Sequence, residues 1–228
     1  MALGTRELDL TDRVEQIRER LEEIADEKDE VQQELAEELA NSDVDGMEDL
    51  DSYDDYEQRY DDLDAEETEL RGELRKFKET CVDWATDTNT ENLWNNSDTS
   101  DEYYDKIGKK YDAEVESVTF GVRELTFGQL QRVSDDMMEE SFEVDMQRED
   151  VEGTPRQGFY QTELLKEAIE HWPEEAPVKT EYGHDIPEPG EYPIPVGEWL
   201  FERVDAINTT GDTEMGNSSL KEAMKSDR

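Results

Sequence analysis

Residues 53–84 read YDDYEQRYDDLDAEETELRGELRKFKETCVDW, and their large apolar side chains fall at Tyr53, Tyr56, Tyr60, Leu63, Leu70, Leu74, Phe77, Cys81 and Trp84. With Glu67 in the one polar slot, the spacing alternates three and four without a slip over more than four heptads. That is the pattern of a helix burying one stripe along its whole length. Upstream, Leu10, Val14, Ile17, Leu21, Ile24, Val31 and Leu35 repeat it, with Lys28 in the polar slot. Thr11 or Asp12 can cap this first helix, and the Asp12 to Glu15 spacing fits a capping box. Between the seams, Asn41-Ser-Asp-Val-Asp-Gly46 offers turn chemistry and a glycine. An antiparallel coiled-coil hairpin follows. Lys28 and Glu67 lie at comparable distances from its bend, so a pair between them would fix register and compensate both charges.

The hairpin cannot be the whole fold, because two helices bury little surface. The rear of the chain changes pattern at Val115, where alternation and β-branching through Val122 predict a strand, with SFEVDM at Ser141–Met146 as a possible partner. Three helices are expected after it. One is capped by Thr126 and carries Leu130, Val133 and Met137; one follows Thr154-Pro155 and carries Tyr160, Leu164, Leu165, Ala168, Ile169 and Trp172; one opens at Pro195 and carries Val196, Trp199, Leu200, Val204 and Ile207. Six prolines between Pro173 and Pro195 predict an extended connector. The expected fold class is mainly α: an N-terminal antiparallel coiled-coil hairpin, then a small helical domain with one or two short strands. The expected organisation is a hairpin over 1–86, a linker with a possible short helix (Asp101 to Tyr111) over 87–114, an α-rich interaction domain over 115–208, and a mobile polar tail over 209–228.

Composition restricts what such a fold can do. The 228 residues carry 66 Asp and Glu against 23 Lys and Arg, a formal net charge of −43. A chain that binds nucleic-acid phosphates or an anionic membrane needs a basic face, so both partners are excluded by sign. No apolar run approaches the roughly 20 residues of a membrane span, and the start, Met-Ala-Leu-Gly-Thr-Arg-Glu, lacks the apolar stretch of a secretory signal. A cytoplasmic protein is expected. So acidic a chain with only 33% hydrophobic residues would ordinarily read as partly disordered. Its ordered seams, and its ten lysines against thirteen arginines, point instead to a halophilic, haloarchaeal style of surface. In molar salt the Debye length falls to about 3 Å, and neighbouring carboxylates scarcely repel.

Catalytic signals are missing from the sequence. It contains no Gly-rich phosphate loop, no Gly-x-Ser-x-Gly elbow, no His-Glu-x-x-His pair and no Cys-x-x-Cys. Its single cysteine, Cys81, occupies a seam position and reads as a small core residue. His184-Asp185 beside Glu181 offers a dyad or a partial metal site, against the plainer reading of a solvated loop histidine. Asn41, Asp43, Asp45 and Gly46 imitate a calcium loop, but Asn41 stands at its first position and Ser52 at its twelfth, where Asp and a bidentate Glu belong. The expectation is a non-enzyme with no catalytic residue, cofactor or resident metal.

The rear half carries a resemblance. Arg123-Glu-Leu-Thr-Phe127-Gly-Gln-Leu130, an acidic helix, an amphipathic helix, a proline connector and Pro195-Val-Gly-Glu-Trp199-Leu-Phe201-Glu-Arg-Val-Asp-Ala-Ile-Asn208 follow in that order. This order resembles tail assembly chaperones of long-tailed viruses over about Val115 to Asn208. The resemblance implies a non-enzymatic binder that covers a hydrophobic helical tape-measure protein while the tail tube assembles. The long hairpin departs from that group and fits equally a structural or adaptor component that stays in the virion or in a cellular complex.

Two surfaces are expected to carry such a role. Tyr56, Tyr60, Leu63, Leu70, Leu74, Phe77 and Trp84 present more apolar area than one facing helix covers, so self-association through the hairpin is expected, most simply as a dimer. Phe201 follows Trp199-Leu200, which turns it away from the centre of its stripe, and Phe159 stands at the edge of its own. Phe201, Phe159, Trp172 and the margin of Trp199 are therefore expected on the client surface.

Overall fold

The structure, a computed structural model, describes residues 5–42, 50, 52–136, 157–181 and 184–210. In chain order it contains β1 (Thr5–Asp9), α1 (Leu10–Asn41), α2 (Tyr53–Ala85), α3 (Thr90–Asn95), α4 (Ser100–Glu114) and β2 (Thr119–Arg123). Helix α5 (127–136), α6 (Gln157–Ala168), β3 (Ile169–His171), β4 (Val178–Glu181), β5 (His184–Pro187), a 3-10 turn (Pro189–Glu191) and α7 (Ile194–Thr210) follow. The chain divides into two compact units, Leu10–Glu116 and Met1–Asp9 with Ser117–Arg228. The helical unit is thus inserted between two strands that pair with each other.

In the helical unit α1 and α2 form the expected antiparallel hairpin, each about 48 Å long at 1.5 Å per residue. A ladder of ion pairs shows the direction. Arg13 meets Glu73 through two bonds of 2.9 and 3.1 Å, Arg20 meets Glu66 through two of 2.8 and 3.0 Å, and Lys28 reaches Asp64 and Glu67. Arg59 then meets Glu34 at 2.8 Å, and the Ser52 hydroxyl donates to Glu38 at 2.7 Å, so rising numbers on α1 face falling numbers on α2. The bend at 43–49 and residue 51 lie outside the described residues, and with them most of the calcium-like turn.

Residues 87–114, expected as a linker, belong to the same compact unit and hold two capped helices. Asn89 accepts from the Asn92 amide to start α3, while the Thr90 hydroxyl is held by Asp83 of α2. Thr99 accepts from the Glu102 amide, and Glu102 reaches back to the Asp98 amide, a capping arrangement legible in Thr99-Ser-Asp-Glu102. Helix α4 packs along the C-terminal half of α2 and buries Tyr103, Ile107 and Tyr111. Arg18 of α1 and Lys78 of α2 both lie over the Tyr111 ring, at 5.6 and 5.4 Å, and Arg18 closes on Asp112 at 2.7 Å. Burial, reinforced by the Arg18 charge, pushes the Lys78 ammonium below its ordinary pKa. Helices α3 and α4, added to the α1–α2 pair, therefore complete this end of the unit.

The other unit is built on β2, which sits between β1 and β3 in an antiparallel sheet. Phe120 and Val122 face its core with Leu164 and Leu165 of α6 and Val196, Leu200 and Val204 of α7, and the Tyr192 ring leans on Phe120 at 5.9 Å. Strand β1 has a single apolar residue, Leu8, and exists through its ladder to β2, from Thr5 opposite Arg123 to Asp9 opposite Thr119. The Val118 amide donates to Asp9 at 2.9 Å and closes the stem where the helical unit leaves and returns.

Three expectations are corrected here. The amphipathic helix foreseen through Trp172 stops at Ala168, because residues 169–171 pair with β2 and the Arg123 guanidinium takes the Glu167 carbonyl that the ending helix leaves free. The proline-rich connector is not merely extended: β4 and β5 pair as a hairpin, with Pro187 at its end and Pro173 and Pro177 outside it. The partner of the predicted strand is β1 on one side and β3 on the other, and Ser141–Met146 lies outside the described residues.

Candidate functional site

The α2 seam is not uniformly covered. Tyr53, Tyr56, Tyr60, Leu63, Leu70 and Leu74 are half-buried, whereas Phe77, Cys81 and Trp84 are buried. Off the seam, Thr80 and Val82 are buried as well, which a two-helix hairpin would not achieve. The cause is α4, which lies along this half of α2. Phe77 and Trp84, expected at an interface with a second copy, are thus buried within the chain. The seam residues that stay half-buried run from Tyr53 to Leu74, on the bend side of Phe77.

There the seam opens into a groove of about 290 Å³ between α1 and α2, lined by Val31, Gln32 and Leu35 on one side and Tyr53, Tyr56, Glu57, Tyr60 and Asp61 on the other. Its volume stands at the lower end of the roughly 300–1,000 Å³ of sites that bury small molecules. Two of its tyrosines have polar neighbours at their hydroxyls. The Tyr56 hydroxyl is bonded to Glu38, which with burial and neighbouring carboxylates pushes its pKa up, and Gln32 approaches the Tyr60 hydroxyl at 3.5 Å. The Arg59 guanidinium lies 5.9 Å from the Tyr56 ring and the Lys28 ammonium 5.1 Å from the Tyr60 ring. The result is a pre-formed aromatic floor with carboxylates at its rim.

The client surface expected on the rear unit is corrected in part. Trp199 is only 6% exposed and sits in the core, with Arg203 over its ring at 5.9 Å. Phe201 is half-buried and meets Tyr160 of α6 edge-on, at 6.2 Å and 80°. Burial, with Asp205 nearby, raises the Tyr160 pKa. Phe159 and Trp172 are half-buried too. Of the four, Phe201 joins α7 to α6 through the Tyr160 ring.

The exposed aromatics lie elsewhere. Phe127 is 74% exposed and Trp94 is 51% exposed, the latter stacked edge-on against Tyr103 at 5.1 Å. Phe127 stands inside Arg123–Leu130, where its neighbours have internal duties. Arg123 caps α6, the Leu125 amide donates to Asn208 at 2.7 Å, Thr126 and Gln129 cap α5 reciprocally, and Gln129 reaches Glu167 at 2.8 Å. Asn208 thus joins the two stretches that carry the family resemblance. That Phe127 starts a capped helix and so points outward was readable from Thr126-x-x-Gln129, but stripe analysis alone favoured Phe201 and Phe159.

His184 and Asp185 do not form a dyad, since Asp185 accepts from the Thr180 hydroxyl at 2.6 Å while His184 is exposed opposite Glu181. Among the described residues no group of three or more His, Cys, Asp or Glu is placed to hold a metal ion, and no helix is long and apolar enough to cross a membrane. Compared with known proteins, the chain matches no family model, no curated protein and no solved structure.

Proposed function

We propose that this chain is a non-enzymatic, protein-binding assembly factor that grips a helical client, working in a high-salt cytoplasm as the tail assembly chaperones it resembles would. The observation that carries this reading is the Tyr53–Tyr56–Tyr60 floor, an ordered apolar groove left open beyond the reach of α4. Grooves of this kind take an amphipathic helix through residues at i, i+3, i+4 and i+7. Such a client would be a tape-measure-like helix that must be shielded until it is packed. The acidic, arginine-laced surface suits molar salt, where hydrated carboxylates keep a chaperone soluble while its client is not.

A second reading is favoured by the insertion of the helical unit between β1 and β2, which ties its two ends to paired strands. A unit tied at both ends suits a permanent virion or cellular adaptor that self-associates through Tyr56, Tyr60 and Leu63. Mass spectrometry of purified particles against the producing lysate separates the two. A transient chaperone is abundant in the lysate and missing from particles; a stoichiometric presence in particles overturns it in favour of the adaptor.

A further inference from the structure

We propose that the groove at the bend end of the hairpin selects a basic amphipathic helix, one whose apolar face is flanked by lysine or arginine, and that a second copy of this chain does not fill it. The inference deepens the assembly-factor reading and rests on it. Tyr53 to Tyr60 spans about two helical turns, roughly 10 Å at 1.5 Å per residue. This length matches two or three successive anchors of a helix lying along the seam, with Val31 and Leu35 as the facing wall.

Charge decides the occupant. Helical residues 30–41 and 53–64 flank the groove with ten carboxylates and a single cation, Arg59. Arg59 is already held by Glu34 at 2.8 Å, and the nearest lysine, Lys28, is held by Asp64 and Glu67. Glu57 and Asp61 line the groove itself, and both are exposed. A second copy would set another such belt against this one and leave its carboxylates unmatched at close range. A helix bearing Lys or Arg beside its apolar face would pair with them. In molar salt only charges within contact distance still attract, and those are the pairs a docked helix makes.

The test uses the full-length protein and two synthetic peptides of about 18 residues sharing one Leu/Ile/Trp face, long enough to lie along the seam. One is flanked by Lys and Arg, the other by Glu, and binding is followed by fluorescence anisotropy in about 0.5 M and about 2 M KCl. The expected result is that the basic peptide binds at least about tenfold more tightly than the acidic one at both salts. Tyr56→Ser with Tyr60→Ser should abolish binding. Glu57→Lys with Asp61→Lys, at exposed positions that leave folding intact, should reverse the preference. Equal binding of both peptides, still lost in the tyrosine variant, overturns the basic-partner inference and leaves the assembly-factor reading standing. Binding of neither peptide overturns the groove as a docking site and that reading with it. A wild-type dimer in sedimentation that Tyr56→Ser dissociates makes the occupant a second copy and also overturns the inference.

Discussion

The Lys28 ammonium donates to Glu67 at 2.5 Å across the hairpin, and these are the only charged residues in their two apolar seams. Lys28 is buried yet fully engaged: Asp64 accepts from it at 2.8 Å, the Tyr60 ring lies 5.1 Å away, and Arg71 supports Glu67 from the outer side. These contacts hold the Lys28 pKa up and the Glu67 pKa down. Replacing one member of such a pair leaves the other charge behind, and the cost depends on which partners that charge keeps. Lys28→Met should leave the thermal midpoint unchanged or higher, since the thioether fills the seam and Glu67 keeps Arg71. Glu67→Leu should lower it, because the buried ammonium then loses its closest partner. Midpoints measured in high salt that fall in the opposite order would remove this account of the pair.

The pH response should depend on salt. Arg20 on Glu66, and Lys28 with Arg71 on Glu67, hold these carboxylates below their ordinary range. A carboxylate whose folded-state pKa is depressed contributes stability above its unfolded value and loses it as pH falls through the folded one. Acting against this at low ionic strength is the mutual repulsion behind a net charge of −43, which protonation relieves. In about 0.2 M KCl, stability should therefore rise from about pH 7 to about pH 5 before falling. In molar KCl repulsion is screened, so only the acid fall should remain, and Glu66→Gln with Glu67→Gln should flatten it. A high-salt midpoint that climbs below about pH 4 would contradict the assignment.

Phe77 tests where the hairpin's apolar surplus goes. Its side chain is fully buried within the chain, so Phe77→Ala should cost about 3–5 kcal/mol, typical of a core aromatic truncation. Its cover is internal, so the sedimentation behaviour of the folded variant should match wild type. A change in oligomeric state with little loss of stability would return Phe77 to an interface between copies.

What the sequence made legible follows from the reach of each signal. The two seams were readable over their whole length because a heptad repeats locally, and every apolar seam residue described is buried or half-buried. Strand β1 was not readable: Thr-Arg-Glu-Leu-Asp has no alternation of its own and becomes a strand only by pairing with residues more than a hundred positions away. How far Trp199 and Phe201 are buried was not readable for a related reason. A helical wheel states which residues share a face but not how many neighbours cover it, and α6 supplies Tyr160 to cover the side that Phe201 turns toward. The groove at Tyr56 and Tyr60 was visible as a surplus of aromatics; that it occupies only half of the hairpin depended on α4 turning back.

The centre of the sheet should be sensitive to a single methyl group. A Cβ at Gly121 would stand 3.0 Å from His171 Cδ2, 3.2 Å from His171 Cβ and 3.3 Å from Thr5 Cγ2, where β1, β2 and β3 run side by side. Gly121→Ala should destabilise by about 1–3 kcal/mol through crowding. His171→Gly should recover part of that loss in the double variant, since it removes the two closest atoms. If the two costs simply add in a denaturant cycle, the close approach is not what requires glycine here.

Asn208 and Phe127 belong to the same pair of sequence stretches and should behave in opposite ways. Asn208 accepts the Leu125 amide at 2.7 Å, and its own amide donates to the Val204 carbonyl at 2.8 Å, so it fastens the end of α7 to the segment between β2 and α5. Leu125 is buried, and Asn208→Ala leaves its N–H without that acceptor, a loss of about 1–3 kcal/mol. The Leu125 amide should then exchange with deuterium much faster than in wild type. Phe127 touches water over most of its surface, so Phe127→Ser should leave the unfolding midpoint and that exchange rate unchanged. A Phe127→Ser variant that loses stability as Asn208→Ala does would show that the ring is covered in solution, and a slow Leu125 amide in Asn208→Ala would show that the asparagine is not its acceptor.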